Sequence, residues 1–297
     1  MTMGLTYILQ LILTGITNGS IYVLISLGII IVFKCTNVIN FAQGEFVVLG
    51  GFIFYTASLL GLPVPIAFIL TVLFIGFVLG SAVGLFGLRP YLLKNIPAGV
   101  ITLATLGLSM VLKMVMILLW GKMPVRVPAW SGENTIRFFG LSIQPQAVWV
   151  LGITAVAFVL VLLFLEKTLL GKSFRAVSEN RTYARLLGIN SSNMLIVATI
   201  ISAMLGAIAG AAITPISYAV YDFGLTYTIN GFIAAVLGGL NNPKGALYGG
   251  LLIGLLSSLS AGLIGASFSD IVVVVALLAV LIIKPTGLVA GVSGGRK

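Results

Sequence analysis

The polar residues able to do chemistry gather in two apolar stretches and one charged loop. Asn37, Asn40, Gln43 and Glu45 lie in or beside the first two turns of an apolar run, and Asn18, Tyr22 and Ser26 recur every four residues in an earlier one. A four-residue interval places side chains on one helical face. A carboxylate at bilayer depth costs about 2.5–3.5 kcal/mol on insertion scales, so Glu45 needs a partner. Two answers are open. Asn40 and Gln43 have capping-box spacing, and an acid early in a helix is favoured by its positive end. Alternatively Glu45 faces the interior of a helical bundle as a gate or structural lock. Asn40 is read first as a cap. For Asn18 and Tyr22, hydrogen bonding between helices and the lining of a polar path both fit. Tyr227 and Asn230 are weaker candidates of the same kind.

The longest charged stretch runs from Glu166 to Asn190, EKTLLGKSFRAVSENRTYARLLGIN. Its Gly171-Lys172-Ser173 resembles the end of a phosphate-binding loop. Such a loop needs a glycine five positions earlier, where Glu166 stands, and a preceding strand. Nucleotide binding by this chain is therefore rejected. The segment instead predicts one short surface helix, with Ser173 as N-cap, Phe174, Val177 and Ala184 on one face, and Gly188 as its C-terminal stop. Arg181 on that face makes it too polar to lie in lipid. The loop is read either as a solvated segment that fixes topology or as a docking helix for a soluble partner.

Elements able to position these residues are constrained by composition. Of 297 residues, 60% are apolar and 7% charged, with a mean hydropathy of +1.22. Soluble domains carry about 25% charged residues, so this chain must face lipid. Apolar runs suited to crossing a bilayer cover 5–33, 38–60, 63–86, 97–119, 145–165, 191–213, 225–240, 245–264 and 270–284. The last three are short and glycine-rich, and the Asn241-Asn242-Pro243 region predicts a broken helix or tight turn. The expected fold is all-α: one polytopic transmembrane bundle over residues 1–297, with eight or nine spans and a short cytoplasmic helix. Gly206 and Gly210 form a small-xxx-small seam for close helix packing. The N-terminal run lacks a basic flank and exceeds a signal peptide's apolar length, so it is expected to stay in the mature protein.

With an N-terminus outside, Lys34, Arg89, Lys94, Lys167, Lys172, Arg175, Arg181, Arg185, Lys244, Lys284, Arg296 and Lys297 fall on the inner side, leaving only Lys113, Lys122, Arg126 and Arg137 of the 16 basic residues. The C-terminus is then cytoplasmic. The net charge of +10 marks topology and forms no basic face for nucleic acid. The absence of histidine rules out HExxH zinc sites and His-activated nucleophiles, and six acids leave little for paired-carboxylate catalysis. No catalytic or metal-ligating set is assigned. An intramembrane transferase is disfavoured on the same grounds. An ion-coupled secondary transporter would need midplane ion sites for which only Glu45 is arguable. Cys35 is read as a small apolar filler.

Four motifs in order, NVINFAQGEFVVLGGF (37–52), GKSFRAVSENRTYARLLGIN (171–190), AAVLGGLNNPKGALYGGLLIG (234–254) and KPTGLVAG (284–291), resemble the LivH-type branched-chain amino-acid permease family of binding-protein-dependent ABC importers. Gln43 stands where many members have histidine. The resemblance implies a bacterial inner-membrane subunit that forms half of a path for branched-chain or related amino acids, with urea, amides or small carboxylic acids as alternative solutes. It implies a second, LivM-type permease, two cytoplasmic ATPases that bind ATP and magnesium, and a periplasmic solute-binding protein. No cofactor is expected in this chain itself. Arg175, Glu179, Arg181, Ala184, Arg185 and Gly188 fall in the loop that would couple to an ATPase.

Overall fold

The computed structural model describes residues 2–94, 96–132, 134–138 and 141–289. Arg296, Lys297 and the last two residues of the 284–291 motif lie outside them. Among the described residues, nine apolar helices stand at the nine apolar runs: α1 (Thr2–Thr36), α2 (Gln43–Leu59), α3 (Val64–Leu93), α4 (Ala98–Trp120), α5 (Pro145–Lys167), α8 (Ser191–Ser217), α9 (Gly224–Gly238), α10 (Gly245–Leu263) and α11 (Ser269–Ile283). Two short helices, α6 (Leu169–Glu179) and α7 (Arg181–Leu186), fill the charged loop. The only sheet among the described residues is a small antiparallel hairpin, β1 (Ile136–Phe138) with β2 (Leu141–Ile143), in the 121–144 loop.

A helix that is apolar on every face must be surrounded. Leu24, Ile25, Leu27, Ile29, Ile30, Ile31 and Val32 of α1 are all fully buried, which places α1 at the centre. α8, α9 and α10 pack around it, whereas α4 and α11 show wide apolar faces, such as Leu118 and Ile282, to the exterior. In water such faces would be severe liabilities. In a bilayer they are the solvated surface.

Lipid supplies no hydrophobic drive between helices, so close backbone approach must hold the bundle. Gly206 and Gly210 do form the expected seam. A Cβ on Gly210 would lie 1.8 Å from the Val47 carbonyl oxygen, and one on Gly206 would lie 2.7 Å from Phe46 Cβ. A second seam, not anticipated from the sequence, joins α1 to α10: a Cβ on Gly254 would lie 2.3 Å from the Gly15 oxygen and from Gly19.

Two local expectations are corrected. The charged loop forms two helices, not one, because Asn180 Oδ1 accepts from the N–H groups of Thr182 and Tyr183 at 2.9 and 3.1 Å and starts a new cap there. The first of them is capped by Thr168, whose Oγ1 accepts from Gly171 N at 2.9 Å, so Ser173 is an interior residue and not an N-cap. Of the broken helix or tight turn expected around Asn241-Asn242-Pro243, the structure has the turn, at residues 239–244 between two separate helices. Gly188, with φ of +80°, ends α7 as expected, with Gly188 N bonded to Arg185 O and Ile189 N to Ala184 O.

Gly210→Ala is expected to lower the thermal stability of the detergent-solubilised chain by about 1–3 kcal/mol, because backbone cannot yield to the added methyl. Gly107→Ala, where nothing lies within 4 Å, should leave the melting temperature unchanged.

Candidate functional site

Two short helices, α2 with 17 residues and α9 with 15, are about 25 and 22 Å long at 1.5 Å per residue. Neither spans a hydrocarbon core of about 30 Å alone. Their depth follows from their partners. Gln43 Nε2 donates to the Ser202 carbonyl at 2.9 Å, and Ser202 lies near the middle of α8. Ser109 Oγ, near the middle of α4, donates to Glu45 Oε1 at 2.7 Å. The first turn of α2 therefore sits at mid-depth.

The first turn of α9 meets it there. Gly44 N donates to Thr228 Oγ1 at 2.8 Å, and that oxygen lies 3.1 Å from the Phe41 carbonyl. A Cβ on Gly44 would fall 1.8 Å from the Gly224 oxygen, and one on Gly224 would fall 2.3 Å from the carboxyl atoms of Glu45. Only glycine at both positions lets the turns approach this closely. Glu45 is 1% exposed, and its Oε2 has no hydrogen-bond partner among the described residues. Its carboxyl group lies against the N-terminal turn of α9 while sitting in the first turn of α2, so two positive helix ends flank it.

Glu45 thus occupies a first helical turn and lies buried within the bundle. The capping box does not form. Ala42 is the N-cap residue and its side chain makes no capping bond. Asn40 Oδ1 accepts from Ala42 N at 3.1 Å, a turn that precedes the helix. Gln43 is turned away to Ser202, whose hydroxyl donates to Gln43 Oε1 at 2.5 Å and lies 3.0 Å from the Gly28 carbonyl. In a buried site the amide finds stronger partners across the bundle than in its own first turn.

Asn18, Tyr22 and Tyr227 come together around a cavity of about 230 Å³ between α1, α8 and α9, closed by Ile21, Ile213 and Phe223. Asn230 lies deeper, with Nδ2 3.5 Å from the Tyr22 hydroxyl. Ser26 leaves this group: it is fully buried and donates to the Val23 carbonyl. The cavity abuts the start of α9, beside the segment that carries Asp222. Asp222 forms an ion pair with Lys113 of α4, one turn beyond Ser109, and Lys113 also lies 5.5 Å from the Tyr221 ring centre. Glu45, Ser109, Lys113 and Asp222 thus tie α2, α4 and the entry to α9 into one polar line.

On the charged loop, Arg175, Glu179, Arg185 and Gly188 are exposed, while Ala184 is buried and belongs to the packing face with Phe174 and Val177. Arg181 is half-buried and donates to the Cys35 carbonyl at the end of α1 through Nε at 2.9 Å. Cys35 itself is buried, as a filler should be. No group of three or more His, Cys, Asp or Glu side chains suited to a metal is present among the described residues.

Ser109, Thr228, Ser202 and Gly224 were not anticipated. Single hydroxyls in apolar helices are common, and only tertiary pairing distinguishes these. The usable signal was length: the apolar run 225–240 is one of the shortest in the chain and follows the polar Tyr221-Asp222 pair.

Gly224→Ala should destabilise the chain by about 1–3 kcal/mol by driving a methyl into the Glu45 carboxyl group. Adding Glu45→Ala to it should cost less than the sum of the single changes, because the second truncation makes room. A double-mutant cycle on melting temperatures reads this coupling, and simple additivity would mean that the two groups do not touch.

Comparison with known proteins places this geometry. Residues 11–281 match the family model described as branched-chain amino acid transport system, permease component. The chain is 28% identical to the high-affinity branched-chain amino acid transport system permease protein LivH of Salmonella typhimurium, over 95% of each chain. It is 29% identical to the corresponding permease protein BraD of Pseudomonas aeruginosa, covering 94% of this chain and 95% of that one. The autoinducer 2 import system permease protein LsrC of Shigella flexneri is 28% identical, over 90% of this chain and 76% of its own. With its apolar multi-pass bundle and a full-length match, the chain belongs to the branched-chain amino acid permease family of ABC importers.

Proposed function

We propose that this chain provides half of the path for a branched-chain or related amino acid across a bacterial inner membrane, paired with a LivM-type permease. Two cytoplasmic ATPases bind ATP and magnesium and drive the cycle, and a periplasmic protein delivers the solute. The N-terminus is periplasmic and the C-terminus cytoplasmic. The observation that carries this reading is the meeting of two short helices at mid-depth, beside a cavity lined by Asn18, Tyr22 and Tyr227.

Discontinuous helices meeting near the midplane are how many transporters build a site that can open to either side. Here the cavity wall mixes amide, hydroxyl and phenol groups with Ile21, Ile213 and Phe223. Uncharged dipoles beside apolar side chains suit brief passage of a zwitterion with an aliphatic side chain, since no opposite charge traps it. Glu45 acts as the latch. Its carboxyl group, fixed by Ser109 of α4, packs on Gly224 between the two helix starts, and separation of those turns opens the path.

The driving movement enters through α6 and α7. Arg175, Glu179, Arg185 and Gly188 present the exposed face to an ATPase, while Phe174, Val177 and Ala184 anchor the pair to the bundle and Arg181 fastens it to α1. A ligand shifts such an equilibrium only through differential affinity for its states. The loaded binding protein therefore favours the conformer competent for ATP closure.

Reconstituted vesicles test the reading. Uptake of radiolabelled leucine should require the second permease, the ATPases, the binding protein and ATP together. Gly188→Ala, which forces a methyl into a left-handed turn, should reduce ATP-dependent uptake. Uptake by this chain alone on an ion gradient would contradict the proposal. Urea or an amide carried in place of leucine would reassign the solute.

A further inference from the structure

A second cluster of polar groups lies away from the path, where α3 ends and α8 begins. Two adjoining recesses share Leu92, Leu93, Arg185, Ser191 and Ser192, and the larger has a volume of about 410 Å³. Arg89 and Arg181 close the smaller one. Three guanidinium groups thus meet at the smaller recess, of about 10 Å³, and Arg185 alone of them also lines the larger. None forms an ion pair with a carboxylate among the described residues.

Each arginine is differently engaged. Arg185 donates Nε–H to Ser191 Oγ at 3.0 Å, and Arg181 donates to the Cys35 carbonyl. Arg89 has a buried Nε with no hydrogen-bond partner among the described residues. Burial, with the Arg185 charge adding to it, lowers the pKa of Arg181, as expected for gathered cations with no acid between them. The recess also opens at the start of the 27-residue α8, whose positive end favours an anion. A planar guanidinium fork fits the oxygens of a phosphate group.

We infer that the larger recess, at the edge it shares with the three arginines, binds the phosphate of an anionic phospholipid. Its depth and rim choose the lipid over a soluble anion. Arg89 lies in the last turn of one long apolar helix and Ser191 opens another, so the arginines sit at the level where the spans end and headgroups lie. Leu93, 58% exposed, lines the recess, and Leu187, 77% exposed, precedes its Gly188 wall. Free phosphate has no use for these leucines, whereas a glycerol backbone and acyl chains cover them. Basic pockets between spans on the cytoplasmic side are suited to such headgroups. The inference rests on the proposed orientation and shares Arg185 and Gly188 with the proposed coupling face, but the path plays no part in it.

The full chain, purified in detergent, tests it by native mass spectrometry with phosphatidylglycerol and phosphatidylcholine of identical acyl chains, and separately with sodium phosphate. Phosphatidylglycerol should be retained about fivefold or more over phosphatidylcholine. Arg89→Gln with Arg185→Gln should bring the two lipids to parity. The pair Arg89→Lys and Arg185→Lys, which keeps the charge, should retain a preference for phosphatidylglycerol, and it decides the matter if the glutamine pair fails to fold. Equal retention of both lipids by the unchanged chain overturns the inference, as does an undiminished preference in a folded glutamine pair or no preference in the lysine pair. Phosphate adducts without lipid preference would make it a free-anion site. Unchanged lipid binding with loss of ATPase association would assign the arginines to a protein partner. Either outcome refutes the lipid assignment.

Discussion

A carboxylate buried at mid-depth in an apolar bundle governs the arrangement around it. Glu45 is 1% exposed and has one direct hydrogen-bond donor, Ser109. Ionised, it would be costly in such a place, and the fold answers by bringing two helix starts to it. That requirement explains several features at once. α2 begins well inside the bundle, after the 37–42 segment has returned from the end of α1. The 218–223 segment descends from the end of α8 so that α9 can begin beside it. Gly44 and Gly224 are the residues that let the two turns approach.

The rest of the bundle is built differently. α1 is locked to α10 by Gly15, Gly19, Gly250 and Gly254, and α2 to α8 by Gly206 and Gly210, in backbone contacts with no space for adjustment. Close-packed interiors of this kind move as units and switch between discrete arrangements. The junction at Glu45 has instead a few polar contacts and one carboxyl oxygen without a partner. A cycle that separates α2 from α9 would break the Gly44–Thr228 bond and draw Gly224 away from the Glu45 carboxyl group while leaving the glycine seams intact. The Lys113–Asp222 pair lies on the outer side of the same line, where half-exposed charges can exchange partners with water.

The fold was largely legible in the sequence because it depends on composition. Apolar runs set the spans, and the Gly206–Gly210 spacing set one helix seam. Gly188 was readable as a stop because a left-handed turn favours glycine. Phe174, Val177 and Ala184 were readable as one buried face even though the helix carrying them is split at Asn180. The site was legible only in part. Asn18, Tyr22, Tyr227 and Asn230 stood out as polar groups in apolar runs, and they do gather. What could not be read was the set of partners. Gln43 bonds Ser202 across 159 positions and Glu45 bonds Ser109 across 64. Local rules assigned Gln43 to a capping box that the tertiary bonds displaced. The α1–α10 seam escaped notice because glycines abound in both runs and only pairing gives them meaning.

The central claim is that the entry to α9 parts from α2 and α4 around Glu45 during transport. Cysteines at Lys113 and Asp222, in a chain whose Cys35 is replaced by serine, would place two thiols where the structure has an ion pair between α4 and the entry to α9. Joining them with a short bifunctional thiol reagent in the reconstituted importer should abolish ATP-dependent leucine uptake, while a cleavable form of the reagent should restore it on reduction. Undiminished uptake by the fully joined protein would show that this junction stays closed throughout the cycle, and would contradict the account.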